Sequence, residues 1–139
     1  MISFNYELDF KLDQEGLYAD WISNVISSEN KVEGDINYIF CDDDYLVEIN
    51  KRYLDHDTLT DIISFDYTIG NKLQGDIFIS IERVGENAID FNVDFNEELK
   101  RVMVHGILHC CGYKDKGEDE ERLMRQKEEE KMKMFHVKQ

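Results

Sequence analysis

The stretch Val104–Lys116, VHGILHCCGYKDK, holds two histidines four residues apart inside an apolar run, then a glycine, and only afterwards charge. Four residues of helix turn through about 400°, so His105 and His109 lie about 40° apart on adjacent turns, and one ring nitrogen of each can converge on a single point. Proteins of the HExxH type hold zinc by this spacing. The competing reading is two core histidines, each hydrogen-bonded to backbone. Two at this spacing on a buried helix, with a helix-stopping glycine three residues beyond the second, favour the metal. A third ligand must then come from chain that leaves the helix and turns back. Asp115, six residues after His109, completes H-x-x-x-H-x-x-G-x-x-D. Three protein ligands leave a position open to solvent, as catalytic zinc sites do. Asp119 and His56 are further candidates for the third place. In HExxH the glutamate is the general base, and here that position is Gly106, so the standard peptide-hydrolysing machinery lacks its proton acceptor. A glycine inside a helix costs about 1 kcal/mol against alanine, which points to close approach of a substrate or a neighbouring strand.

The elements that must position these groups are legible from periodicity. Asp94 followed by Glu97 resembles a capping box and opens a helix running to about Cys111. Leu99, Val102, Met103, Val104, Ile107 and Leu108 make it apolar all round, hence central and buried. Gly112 is expected to end it in the left-handed conformation. Upstream, Ile2, Phe4, Tyr6, Leu8 and Phe10 alternate with polar residues, predicting a half-buried strand along that whole stretch. From about Asp13 a helical stripe follows, with Leu17, Tyr18, Trp21, Ile22 and Val25. Ile36, Tyr38 and Phe40 alternate as a second strand. Asp42–Asp44 open a helix carrying Leu46, Ile49 and Tyr53, where carboxylates suit the macrodipole. Thr60–Tyr67 and Gly75–Ser80 read as a hairpin, and Arg83–Phe91 as a short helix with Gly85 its weak point. From Glu118 the tail reads as an exposed charged helix with Leu123, Met124 and Met134 as its thin apolar side. Strands alternating with helices except at the hairpin predict an α/β (α+β) fold, a mixed sheet with helices packed on it.

At 139 residues the chain is expected to be one domain, 1–139, and 42% hydrophobic with 12% aromatic residues is globular composition. No apolar run approaches the ~18–20 residues that span a bilayer, and no basic-then-apolar leader is visible. A soluble, cytoplasmic protein with no membrane partner is expected. Three cysteines, two of them adjacent and none in a CxxC pair, are expected to be reduced thiols. The net charge of −15 argues against broad affinity for nucleic acid, which comes from lysine and arginine releasing counterions. Lys100, Arg101, Lys114, Lys116, Arg122 and Arg125 nevertheless flank the proposed metal in sequence. They are candidates for a phosphate-facing rim, with helix-surface solubility as the alternative.

HGILHCCGYKD resembles the signature of the YbeY endoribonuclease family, H-G-x-L-H-x-x-G-Y-x-H. Asn50 in INKRY, TDIISF where the family has T-D-V-L-S-F, and GDI at Gly75–Ile77 follow in the family's order. The resemblance implies a mixed four-stranded sheet with one zinc at the end of the central helix. It implies a single-strand-specific, metal-dependent endoribonuclease, a hydrolase that matures the 3′ end of small-subunit ribosomal RNA and takes part in ribosome quality control. Partners would be ribosomal RNA and the small subunit or its associated proteins, which would supply the substrate affinity that a broad basic face otherwise gives. His105 and His109 match the first two ligands. Asp115 stands where the family has histidine, and Leu54 where it has an arginine after N-x-x-Y. A carboxylate adds negative charge, making the bound water less acidic than under three imidazoles and favouring harder ions. Arg52 is two residues from position 54 and faces elsewhere on a helix; Arg83 or Arg101 are the candidates to substitute. Asp61 and Asp76 are candidates to orient ligands or substrate, the alternative being turn and strand-end acids. Arg101 and Lys114 are candidates to meet phosphate, and GDIFIS to present backbone donors to an extended substrate. The competing functions are a zinc peptidase-like hydrolase, which Gly106 disfavours, and a non-catalytic metal-binding scaffold on the ribosome.

Overall fold

β-Branched and aromatic residues at every second position build strands β1 (Ile2–Tyr6), β2 (Val32–Cys41), β3 (Ile62–Asp66) and β4 (Lys72–Ser80). Segments with apolar residues at helical spacing build α1 (Glu15–Ser28), α2 (Asp43–Leu54), α3 (Ile81–Phe91), α4 (Phe95–Cys110) and α5 (Glu118–Met132). The computed structural model describes residues 1–54 and 59–135, so the candidate ligand His56 lies outside the described residues. The sheet order is β1-β2-β4-β3. β1 and β4 each pair parallel with β2, and β3 returns antiparallel on β4. Mixed sheet and hairpin are therefore as the periodicity predicts.

Alternation along the strands decides what each face meets. On one face Ile36, Tyr38, Phe40, Ile77 and Ile79 pack with Trp21 of α1 and Val104 and Ile107 of α4 in the main core. On the other, Leu46 of α2 packs with Cys41 and Ile63. Asp76 follows Gly75 and precedes Ile77, so it points to the α2 side of the sheet, away from α4. Its carboxylate accepts a hydrogen bond from Asn37 Nδ2 at 3.0 Å.

Several expectations change. β1 stops at Tyr6, whose register partner is Phe40; β2 ends one residue later, so nothing remains for Leu8 and Phe10 to pair with, although both still pack against the core. GDIFIS belongs to β4, paired on both sides, so its backbone donors are consumed within the sheet. The edge strand on that side is β3. Asp94 sits at the N-cap of α4, but no side-chain cap bond forms there, so the capping box is absent. The tail helix α5 is not simply exposed, since Met124, Glu128 and Lys131 are all buried.

α4 lies close on the sheet because position 106 has no side chain. A Cβ there would lie 3.1 Å from Ile62 Cδ1 and 3.1 Å from Ile77 Cγ2. Of the two reasons sequence offers for Gly106, the neighbouring strand is the one observed. Any larger residue would point into β3 and β4 rather than toward the histidines.

Candidate metal centre

α4 delivers His105 and His109 from adjacent turns at its C-terminal end, and the chain then turns back. Gly112, at φ 105°, adopts a conformation open chiefly to glycine. Its N–H donates to His109 O and that of Tyr113 to Leu108 O, each at 3.0 Å. The turn brings Asp115 over the two rings. His105 Nε2 and His109 Nε2 are 2.9 Å apart, and Asp115 Oδ2 lies 3.3 Å from the first and 3.4 Å from the second. Among the described residues this is the one set of three histidine, cysteine or acidic side chains whose ligand atoms converge so closely.

The outer ring nitrogens fix what the inner ones are. His105 Nδ1 is 2.6 Å from Glu128 Oε2, and His109 Nδ1 is 2.9 Å from the Tyr113 carbonyl oxygen. Both partners accept, so each Nδ1 carries a hydrogen, and in its neutral form each ring turns its Nε2 lone pair inward. Two lone pairs and a carboxylate oxygen then face one another with no proton between them. Such a triangle repels itself unless a cation sits in it. Zinc bonds of about 2.0–2.1 Å at tetrahedral angles place ligand atoms about 3.3 Å apart, and the observed 2.9–3.4 Å edges match that spacing. The donor set therefore fits a small divalent ion. Burial pulls the His105 pKa down, but the Glu128 and Asp115 carboxylates outweigh it, and the net shift is upward from 6.5. In the absence of metal this shift favours the protonated His105 ring.

Residues 4–136 match the family model described as endoribonuclease YbeY. The chain belongs to the endoribonuclease YbeY family. A Flavobacterium psychrophilum endoribonuclease YbeY is 68% identical over 139 residues, covering 100% of this chain and 99% of that protein. The Flavobacterium johnsoniae endoribonuclease YbeY is 67% identical with full coverage of both. The solution structure of TM1509 from Thermotoga maritima superposes with a TM-score of 0.67 at 25% identity, covering 97% of this chain and 89% of that one.

In this YbeY-family chain the other predicted site residues divide. Asp61 lines two of the clefts that meet at His105 and Asp115; burial raises its pKa, and its Oδ2 accepts from Asn87 Nδ2 at 3.1 Å. Arg101 lines one cleft too, but its guanidinium is held by Glu128 at 3.2 Å and Glu98 at 3.6 Å. Asp76 is on the far face of the sheet, as described above. Lys114 is exposed beside Asp115 and lines none of these clefts. Asp119 is exposed and paired with Arg122 at 3.1 Å. Arg83 is paired with Asp43 at 3.3 Å. The three cysteines are free thiols; burial pushes Cys41 and Cys110 up to about 12 and Cys111 to about 11, so they remain protonated.

Sequence reasoning missed Glu128, Glu29 and Lys131. Glu128 orients His105 directly. Tyr113, whose carbonyl orients His109, donates its hydroxyl to Glu29 Oε1 at 2.7 Å, and Glu29 Oε2 is 2.8 Å from Lys131 Nζ. One signal was present: Met124, Glu128 and Lys131 recur at helical spacing on one face of α5, placing two charges where a stripe of apolar residues is expected.

Proposed function

We propose that this chain cleaves single-stranded RNA internally, as a zinc-dependent hydrolase, at the His105–His109–Asp115 centre. The substrate we infer is the 3′ region of small-subunit ribosomal RNA, met in the cytoplasm on the small subunit or its associated proteins. The observation that carries this reading is the convergence of two histidine nitrogens and a carboxylate oxygen at 2.9–3.4 Å in a cleft open to solvent. The described elements are built on one sheet, which supports taking residues 1–139 as a single catalytic domain. No helix among the described residues is long and apolar enough to cross a membrane.

A divalent ion held by the three side chains would supply positive charge beside the non-bridging phosphate oxygens and acidify a water in the open position. The protein's own part is positioning. Glu128 and the Tyr113 carbonyl hold both Nδ1 hydrogens, so each Nε2 presents its lone pair at a fixed angle. Asp61, half-buried in the clefts it shares with His105 and with its Oδ2 engaged by Asn87, offers a carboxyl group for a proton moving to or from substrate. The edge of β3, with Leu54 and Asn50 of α2 opposite, forms a groove leading to the histidines, and an unstacked strand lies along such a groove more readily than a duplex. The peptidase reading lacks support, because position 106 faces the sheet and holds no base.

The test compares wild type with His109→Ala. Metal content is read by mass spectrometry, then cleavage of a single-stranded and a double-stranded RNA and of casein. Loss of metal and of single-strand cleavage together is the expected result. Bound zinc in wild type with no RNA cleavage would favour the scaffold reading instead.

A further inference from the structure

We propose that Arg125 anchors a phosphate subsite beside the metal centre, holding the nucleic-acid backbone next to the position of the cut; this rests on reading the chain as a ribonuclease. The chain has five arginines, and the structure commits the others. Arg83 is paired with Asp43, Arg101 with Glu98 and Glu128, and Arg122 with Asp119. Arg52 lies in a separate cleft on α2, beside Asp42 and Glu48. Arg125 is exposed and lines two of the clefts that meet at His105 and Asp115.

Its placement follows from α5. Arg125 stands three residues before Glu128, so the two share a helix face, and Glu128 is the residue that touches His105. A solubilising arginine on a helix surface would pair with an acid four residues away. Glu121 and Glu129 both occupy such positions, yet among the described residues neither forms an ion pair with it. The nearby lysines do not compete: Lys131 and Lys127 are bound to Glu29 and Glu130, and Lys100 lies over the Phe135 ring. Among the described residues no acid forms an ion pair with the Arg125 guanidinium, although its charge acts on the nearby Glu98 carboxyl, and a planar guanidinium with five donors is the group that holds a phosphate bidentately. Glu118, Glu121 and Glu129 line the same cleft, and Arg122, its other cation, is paired with Asp119, so attraction for a phosphate there depends chiefly on Arg125 and its loss leaves a largely repulsive wall.

The experiment uses zinc-loaded full-length protein: wild type, Arg125→Lys, Arg125→Gln and, as a control of equal charge change in a separate cleft, Arg52→Gln. Binding of a labelled single-stranded 2′-O-methyl oligonucleotide is followed by anisotropy across a salt series, and cleavage of the matching RNA is measured separately. Zinc content and melting temperature confirm that each variant is intact. Arg125→Gln is expected to weaken binding about tenfold or more and to lower the log–log salt slope by about 0.7, the value for one phosphate contact on a single strand. Arg125→Lys should recover part of the affinity, and Arg52→Gln should match wild type. An Arg125→Gln protein with unchanged slope and unchanged kcat/KM overturns the subsite while leaving the nuclease reading intact. A wild type that binds with the Arg125-dependent slope but cuts nothing overturns the nuclease reading alone, and one that does not bind overturns both.

Discussion

Glu128 Oε2 lies 2.6 Å from His105 Nδ1 although the residues are 23 positions apart, so the last helix helps set the geometry of the first ligand. Carboxylate partners of this kind fix the ring and raise its basicity, and their loss typically costs 10–100-fold in metal affinity. Glu128→Ala should therefore lower zinc affinity by about that range, while Glu128→Gln, which keeps a carbonyl acceptor for Nδ1–H, should lose less. Competition with a chromophoric chelator reads this without reference to catalysis. Equal affinity in all three proteins would mean that the helix contact is incidental.

Metal removal should have a pH signature. In the metal-free protein the His105 pKa is raised above 6.5, chiefly by Glu128 against the opposing effect of burial. A raised folded-state pKa contributes stability that is complete below the unfolded value and lost as pH rises through the folded one. The apo protein should thus be relatively more stable near pH 6 than near pH 8. Bound metal adds stability by mass action and needs deprotonated ligands, so it favours the higher pH. The drop in melting temperature on adding chelator should be larger at pH 8 than at pH 6. A drop independent of pH would contradict the account of the inner nitrogens.

How much of this was legible in the sequence follows from range. His105 and His109 are related by one helical turn, Gly112 by the stop it imposes, and Asp115 by a short return; all are local relations that spacing encodes. The hairpin and the central helix were legible for the same reason. What spacing hides is pairing across the fold. Lys131 looks like a solvated charge on α5, but it is buried: Glu29, 102 residues away, neutralises it together with the adjacent Glu130, and Trp21 Nε1 donates to its carbonyl oxygen at 2.7 Å. Likewise, the alternation from Ile2 to Phe10 shows which residues face inward, not where β2 runs out of partners. Nor could it show that GDIFIS is internal and TDIISF the edge, since both strands read alike until the order of pairing is known.

Gly106 offers a check on packing alone. Adding a methyl would gain about 1 kcal/mol of helix propensity, but it must be placed 3.1 Å from Ile62 Cδ1 and Ile77 Cγ2. Ile77 is fully buried within β4 and has little room to move, and overpacking of this kind costs typically 1–3 kcal/mol. Gly106→Ala should come out net destabilising by about 1 kcal/mol in urea unfolding. A stabilised variant would show that α4 can shift off the sheet at no cost.

The Glu29–Lys131 pair ties the Asp115 turn to the body of the protein, and its acid dependence can be worked out. Burial pushes the Glu29 carboxyl up, but Lys131, the Tyr113 hydroxyl and Lys127 together outweigh it and hold it below 4.5. A depressed folded pKa contributes stability that is present above the unfolded value and lost as pH falls through the folded one. Wild type should therefore lose stability more steeply than Glu29→Gln below about pH 4.5, where the amide has nothing to titrate. At neutral pH the glutamine variant should be weaker by about 1–3 kcal/mol, the cost of leaving a buried ammonium with poorer acceptors. Because Tyr113 would lose its charged acceptor, zinc affinity should fall in the same variant while the overall fold survives. Unfolding curves across a pH series and a zinc titration measure the two effects separately. A variant that is less stable yet binds zinc as wild type does would restrict the pair to a structural role.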